Sequence, residues 1–170
     1  MTREETNLLI HRWVTGGFKK AEELERALTA GGIPCGGSWR YLALVIRVDE
    51  YRRQLKRLGM EQMYCVKQEL LARCSAAFES ASCTLGSEAY VVVILAREGY
   101  VNLLSISAPV SRLRESLRES CGLSLTVGIG TYAMNAMEVA ASLRNAHIAT
   151  RYRMVFGPGQ DISYESIAMR

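Results

Sequence analysis

Few residues of this chain stand in patterns that support catalysis. His11 and His147 are the only histidines, and they fall on separate predicted helices, where a lone histidine is more often a packing or surface residue than a base or a ligand. Cys121 lies beside a predicted helix end with no histidine near it in sequence, and no Gly-x-Ser-x-Gly motif occurs. The five cysteines include no Cys-x-x-Cys pair, which argues against a zinc site or a disulfide framework.

Two further patterns could bind phosphate. Gly128-Ile129-Gly130 lacks the lysine of a phosphate-binding loop and the third glycine of a dinucleotide motif, so we interpret it as a strand end. Arg52, Arg53, Lys56 and Arg57 have helical spacing, which is more typical of a solvated helix face than of a phosphate-binding stripe.

The bulk composition indicates one soluble, compact unit. The chain has 170 residues, of which 49% are apolar, and a formal charge of +4, which suits a single globular domain without metals or disulfides. No apolar run approaches the ~20 residues of a membrane-spanning helix, and the N-terminus lacks the apolar stretch of a signal peptide. We therefore expect this segment in the cytoplasm.

The chain opens with two predicted helices, at 3–15 and 19–30, whose apolar residues recur at steps of three and four. Leu9, Trp13 and Leu24 belong to these stripes, which must be covered somewhere. We interpret them as a self-association surface.

The remainder alternates between the two periodicities of secondary structure. We predict a strand at 41–48, two helices between Glu50 and Ala77 that break at Gly59, and a hairpin of 82–85 and 90–95. A helix at 109–120 that starts near Pro109 and a strand at 123–130 should follow. The last predicted elements are a helix at 136–153, opened by Asn135 and Glu138, and a strand at 161–165. The run YVNLLSI at 100–106 fits a strand or an irregular connection.

This order predicts an α/β (α+β) architecture, with a mixed sheet of about five strands packed against helices. We place a helical segment at 1–40, which would serve as a linker or for dimerisation, before a domain at 41–170.

Three local patterns in this order resemble the GGDEF family over residues 41–165. The strand end Ile46-Arg47-Val48-Asp49-Glu50-Tyr51 is similar to the family's Asp-hydrophobic-Asp-x-Phe, and Gly86-Ser87-Glu88-Ala89-Tyr90 stands where Gly-Gly-Asp-Glu-Phe precedes an apolar strand. The strand Leu125 to Gly130 and the following helix to Gly157 are similar to the family's late strand and closing helix. The leading helices and the ending ISYESI also resemble the segment before the DNA-binding helices of membrane-tethered AraC-type regulators.

By this resemblance, active members hold two divalent ions with the first strand-end carboxylate and the Glu of the signature, and the ions activate a 3′-hydroxyl for attack on a nucleoside triphosphate. Arg47 and Ala89 replace those two carboxylates here. Asp49 and Glu88 remain, and Gly86-Ser87 adds a side chain where a guanine nucleotide would approach. The resemblance thus implies a degenerate domain with no catalytic residue, no metal and no cofactor.

The resemblance also implies a vestigial nucleotide pocket, formed by Arg47, Asp49, Gly86, Ser87 and Glu88. Arg47 could bind an anion there, for example a nucleotide phosphate. The competing interpretations are structural, and we favour them: a salt bridge from Arg47 to Glu88 or Asp49, and Asp49 as the cap of a helix that begins at Glu50.

The resemblance implies a non-catalytic signal-relay or dimerisation domain of a bacterial transcription regulator. Its expected partners are a second copy and the flanking sensor and DNA-binding domains, without direct nucleic-acid binding by this segment. Two alternatives stay open. One is a domain that senses a guanine nucleotide or a metabolite without turnover, and the other is a residual metal-dependent cyclase that uses Asp49 and Glu88.

Overall fold

The computed structural model describes residues 1–169, so Arg170, the last residue of the predicted domain 41–170, lies outside them. A mixed five-stranded sheet forms the centre, in the order β2-β3-β1-β4-β5. The strands are β1 (Trp39–Val48), β2 (Ala81–Leu85), β3 (Tyr90–Glu98), β4 (Leu125–Ala133) and β5 (Asp161–Ser163). β5 pairs in parallel with β4, and the other neighbours pair antiparallel. The predicted fold class is confirmed.

Helices cover both faces of this sheet. They are α1 (Arg3–Val14), α2 (Ala21–Ala30), α3 (Tyr51–Leu58), α4 (Met60–Ala77), α5 (Leu104–Cys121), α6 (Val139–Arg151), α7 (Arg153–Phe156) and α8 (Tyr164–Ala168), with a 3-10 turn at Ala136–Glu138 before α6. Within residues 1–169, no helix combines the length and the apolar character needed to cross a membrane.

Side chains of β1 alternate between two cores because successive strand residues point to opposite faces. Leu44 and Ile46 belong to the core under α4 and α5, whereas Ala43 and Val45 belong to the core under α1, α2 and α6. Arg47 continues the second series, so its side chain leaves the strand on the α6 face.

The leading helices are packed into the second core. Trp13 is 2% exposed and Leu24 is 1% exposed, and the indole Nε1 of Trp13 donates a hydrogen bond of 2.8 Å to the carbonyl of Ala136. The expectation that Trp13 and Leu24 present a self-association surface is wrong, because the chain covers this stripe with its own sheet. The division at residue 40 remains a prediction.

Of the two alternatives for 100–106, the strand is wrong and the irregular connection holds only for 100–103. α5 begins at Leu104, so the predicted start near Pro109 is too late. The Oδ1 of Asn102 accepts a hydrogen bond of 3.0 Å from the Leu104 amide. Pro109 lies inside the helix, where it lacks an N–H to donate. Ile106 and Val110 are buried on either side of it, so packing holds the extra turn in place.

The last two predicted elements also differ in extent. The predicted strand at 161–165 ends at Ser163, whose hydroxyl caps α8 by accepting a hydrogen bond from the Ser166 amide. The predicted cap of the 136–153 helix is confirmed, because the Asn135 Oδ1 accepts a hydrogen bond of 3.2 Å from the Glu138 amide.

α6 lies directly on the backbone of β4, which is longer than predicted and continues past Gly130 to Ala133. A Cβ on Gly128 would come within 2.2 Å of the Ala146 carbonyl oxygen, and a Cβ on Gly130 within 2.1 Å of the Ser142 carbonyl oxygen. Glycine is therefore needed at both positions for this close approach. The interpretation of this glycine pair as a strand end is corrected to a helix contact in mid-strand.

Candidate functional site

The candidate site lies where β1 ends between the β2–β3 hairpin and β4. The Val48 amide donates a hydrogen bond of 3.1 Å to the carbonyl of Ala89 in the hairpin, and the Asp49 amide donates one of 2.9 Å to the carbonyl of Ser124. The chain then turns into α3 through Glu50, which has a φ of 51°. The end of β1 is thus fixed from both sides, and the side chains around it are held in a defined arrangement.

A pocket of about 330 Å³ opens at this point. Four arginines and two glutamates lie among its lining residues, which are Arg47, Val48, Glu50, Tyr51, Arg52, Arg53, Glu88 and Arg153. Positive charge therefore exceeds negative charge around the opening.

Asp49 lies beneath this pocket and is 4% exposed. Its Oδ1 accepts a hydrogen bond of 2.5 Å from the Thr126 hydroxyl, and its Oδ2 accepts bonds of 2.6 Å from the Ser124 hydroxyl and 3.0 Å from the Gly159 amide. Nη1 of Arg153 is 3.9 Å from Oδ1. The carboxylate is thus surrounded by donors of its own chain.

The interpretation of Asp49 as a helix cap is wrong. The residue before the first turn of α3 is Glu50, and no side chain caps this helix. The Asp49 carboxylate is turned toward β4 and the loop before β5, where three donors satisfy it, whereas the start of α3 offers only the usual free amides.

Arg47 is the least satisfied polar group of the site. Its Nε is buried and has no hydrogen-bond partner. Within residues 1–169 it forms no ion pair with Glu88 or Asp49, so the predicted salt bridge is wrong. The guanidinium carbon lies 5.2 Å from the centre of the Tyr90 ring, a cation–π contact that partly replaces the missing acceptor.

Burial and the neighbouring arginines disfavour the protonated form of Arg47. Burial is the main cause of a lowered pKa for Arg47, and the guanidinium groups of Arg153 and Arg151 lower it further, against smaller opposing effects of Tyr90 and Glu88. Three positive side chains thus converge on the end of β1, with too few carboxylates to balance them.

The hairpin turn carries backbone strain. Glu88 and Ala89 have φ values of 53° and 48°, a region that residues with a Cβ seldom adopt. Glu88 and Ser87 are exposed, whereas Ala89 is fully buried. The position of the predicted signature Glu is therefore filled by a methyl group that packs into the first core.

Tyr90 fills the space beside Gly86. A Cβ on Gly86 would come within 1.9 Å of the Tyr90 ring, so glycine at this position makes room for a side chain of the same hairpin. His147 of α6 meets the ring edge-on, with 5.1 Å between the ring centres. Tyr90 thus stands between Arg47 and His147, and it covers the position where a nucleotide was predicted to approach Gly86.

A pair of divalent ions does not fit these side chains. In the part of the chain that the structure describes, no group of three or more His, Cys, Asp or Glu side chains is placed to hold a metal ion. A divalent cation beside the Arg47 guanidinium would face repulsion of ~8 kcal/mol at ~4 Å, for an effective dielectric constant near that of a protein surface. Asp49, the nearest buried carboxylate, is already occupied by its hydrogen bonds.

The predicted site residues are only partly brought together. Arg47 and Glu88 line the pocket, Asp49 lies beneath it, Gly86 is covered by Tyr90, and Ser87 is exposed outside the lining. Arg153, Ser124 and Thr126 were not among the predicted site residues. The basic pair Arg151 and Arg153 after the apolar stripe of α6 was a usable signal for the first, whereas nothing in the local sequence marks the two hydroxyl residues.

Solved structures of GGDEF domains match this fold. The active GGEEF domain of a diguanylate cyclase from Vibrio cholerae superposes with a TM-score of 0.60 and 14% identity, covering 74% of this chain and 83% of that one. The GGDEF domain of DgcB from Caulobacter crescentus, in complex with c-di-GMP, gives 0.62 and 14%, covering 85% and 87%. The diguanylate cyclase SiaD from Pseudomonas aeruginosa, in complex with its activator SiaC, gives 0.62 and 16%, covering 92% and 56%.

No sequence-family model matches the chain, and no curated protein matches it significantly. The structural matches show that the fold is that of GGDEF diguanylate cyclase domains. Sequence identities of 14% to 16% establish the fold alone.

Proposed function

We propose that this chain is a degenerate, non-catalytic regulatory domain with a GGDEF fold. The observation that carries the proposal is the state of Asp49, whose carboxylate accepts three hydrogen bonds from its own chain. A carboxylate used in this way holds β1, β4 and the loop before β5 together. It has little capacity left for a metal ion, which would have to displace those donors.

The replacement of side chains within a shared fold supports the same conclusion. The active GGEEF domain from Vibrio cholerae has this fold, so the fold itself is compatible with catalysis. In this chain Arg47 and Ala89 occupy the two predicted carboxylate positions, and both are held by packing: Arg47 against Tyr90 and Ala89 in the first core. Metal-assisted attack on a triphosphate requires anionic ligands at these places.

A domain without turnover acts through contacts, and exposed apolar side chains support a protein contact here. Met154 and Val155, neighbours in α7, are 90% and 71% exposed, and two adjacent apolar side chains with this exposure are unusual on an isolated domain. We propose that this end of the domain meets a second copy or a neighbouring domain. The complex of SiaD with its activator supports protein contacts as a way in which this fold is regulated.

The wider setting that we propose is a cytoplasmic segment of a bacterial transcription regulator of the AraC type, which passes a signal between a sensor and a DNA-binding domain. The segment itself would not bind nucleic acid, because its acidic and basic residues are interleaved over most of its length. The full reading frame tests this setting: a downstream helix-turn-helix would support it, and a chain that encodes no further domain would contradict it.

A GTP turnover assay tests the loss of catalysis. The purified chain is incubated with GTP and Mg²⁺ or Mn²⁺, and the products are separated by chromatography, with the active Vibrio cholerae domain as the positive control. We expect the GTP to stay intact. Metal-dependent formation of c-di-GMP or pyrophosphate that disappears in Asp49→Asn would contradict the proposal and favour a residual cyclase.

A second candidate is a domain that binds a nucleotide or metabolite without turnover. The buried Nε of Arg47, which lacks an acceptor, favours it over a purely structural role. A guanine nucleotide would enter only if the Tyr90 ring moved away from Gly86, since the two are in contact.

A further inference from the structure

The pocket at the end of β1 keeps a positive charge that the chain itself does not neutralise. Glu50 lies 3.5 Å from Arg53 in an exposed pair, which accounts for one of the four arginines. Glu88 is exposed and forms no ion pair among the residues described. Arg47 therefore faces the opening without an ion-pair partner among the residues described, and Arg153 faces it with only Asp49, 3.9 Å away.

Arg153 is only loosely tied to Asp49. Their 3.9 Å separation is longer than a hydrogen bond, and the other donors to Asp49 lie at 2.5 to 3.0 Å. The side chain of Arg153 is 34% exposed, so its guanidinium can reach a ligand in the opening. A guanidinium in this position retains donors that a phosphate oxygen could accept.

Arg47 needs an acceptor more than Arg153 does. A buried N–H without a partner is destabilising, and more so when the group is charged. The neighbouring guanidinium groups of Arg153 and Arg151 add repulsion. An anion in the pocket would pair with the Arg47 guanidinium and offset the repulsion from its neighbours, so its binding would be coupled to relief of a local instability.

The first turn of α3 adds backbone donors to the same opening. Tyr51, Arg52 and Arg53 line the pocket, and no side chain caps the helix before them. Amides at the start of a helix favour anions. The volume of about 330 Å³ is at the lower end of the range for small-molecule sites, roughly 300–1,000 Å³, which suits a diphosphate group better than a dinucleotide.

We propose that this pocket binds a diphosphate-bearing anion directly through Arg47 and Arg153, without a divalent metal. The guanidinium groups then take the role that metal ions have in neutralising phosphate charge. This inference rests on the proposed loss of catalysis, because the same replacement at position 47 that excludes the metals supplies the binding group. The ligand class is the diphosphate group itself, either as the inorganic ion or as part of a nucleoside diphosphate.

Calorimetric titration with inorganic pyrophosphate in the presence of EDTA, at constant ionic strength, tests the proposal. We expect saturable binding to one site. Arg47→Gln and Arg153→Gln should each weaken it by about tenfold or more, the effect of losing a charge-assisted hydrogen bond. Arg26→Gln removes the same charge from an exposed position of α2 outside the pocket and should leave the affinity within about twofold, as expected for a screened distant charge.

Three results would overturn the proposal: no saturable heat in EDTA, binding that appears only when Mg²⁺ is added, or an equal loss of affinity in Arg26→Gln. Circular dichroism checks that each variant is folded. If Arg47→Gln does not fold, the affinity of Arg153→Gln still tests the proposal. A parallel titration with GDP distinguishes the sources, since tighter binding than pyrophosphate indicates a nucleotide and equal binding the diphosphate alone. A failure to bind pyrophosphate in EDTA would not bear on whether the chain turns over GTP, so the two proposals can fail separately.

Discussion

Asp49 and Thr126 are joined by a hydrogen bond of 2.5 Å between Oδ1 and Oγ1, although 77 positions separate them in the chain. The bond ties the end of β1 to β4 in the buried layer below the pocket. A carboxylate positioned for metal binding would instead keep its oxygens directed at the opening. This relationship shows a structural use of the acidic residue at the end of β1.

If that use is correct, Asp49→Ala should lower the free energy of unfolding by about 3 kcal/mol, since hydrogen bonds to a buried charge are lost and two hydroxyls and one amide lose their acceptor. Urea unfolding followed by circular dichroism measures the change. Asp161→Ala, which breaks the more exposed pair with Arg114, should cost less than about 1 kcal/mol. An Asp49→Ala variant as stable as the native chain would indicate a residue kept for function at the expense of stability.

Arg47→Met should raise the free energy of unfolding by about 1 kcal/mol in phosphate-free buffer, because a buried donor without a partner is replaced by an apolar chain of similar length. Arg40 of the same strand is the matched control. Its Nη1 donates hydrogen bonds to the carbonyls of Gly37, Trp39 and Met134.

Arg40→Met should therefore destabilise by about 1–2 kcal/mol. Opposite signs for the two substitutions, measured by urea unfolding, are the expected result. A loss of stability in Arg47→Met equal to that in Arg40→Met would show that Arg47 is held by favourable contacts of its own.

Gly130→Ala should destabilise by about 3 kcal/mol, because the added methyl group meets the Ser142 backbone and pushes α6 off β4. Gly37→Ala, where a Cβ would meet nothing within 4 Å, serves as the control and should change little. Thermal melting of both variants checks this. Equal melting temperatures would mean that α6 can shift without cost.

Stability should fall in mild acid through His147. Burial lowers the pKa of His147, and the nearby charges of Arg47 and Arg151 lower it further. The unfolded chain then takes up a proton on this side chain at a higher pH than the folded chain does, so the free energy of unfolding decreases as the pH falls through about 6.5.

Urea unfolding is measured between about pH 7 and pH 5, the range around an ordinary histidine pKa. His147→Gln should remove the part of the fall in unfolding free energy that comes from protonation of His147. His11→Gln, at an exposed position of α1, should retain it. Parallel pH profiles of the native chain and His147→Gln would rule out the contribution of His147.

The order of strands and helices could be predicted from the sequence because apolar periodicity and turn residues specify it locally. The start of α5 could not be predicted in this way. Proline is common in the first turn of a helix, so Pro109 indicated a start near residue 109. Burial of Ile106 fixes an earlier start. Asn102, which satisfies the amide of Leu104, was the local signal for this start.

The site was predicted less well, for a physical reason. The position of Arg47 beside a carboxylate two residues away favours a salt bridge in any local interpretation. The structure turns Asp49 toward Ser124 and Thr126 instead, and it brings Arg153 from the end of the chain to the same opening. Such partners depend on tertiary packing, which sequence spacing does not reveal.

The side chains at the end of β1 should not hold divalent metal ions. Electron paramagnetic resonance of Mn²⁺ titrated with the chain measures this directly, because the signal of the free ion disappears on binding. We predict the same residual signal for the native chain and for Asp49→Asn. Capture of Mn²⁺ by the native chain that Asp49→Asn abolishes would contradict the account.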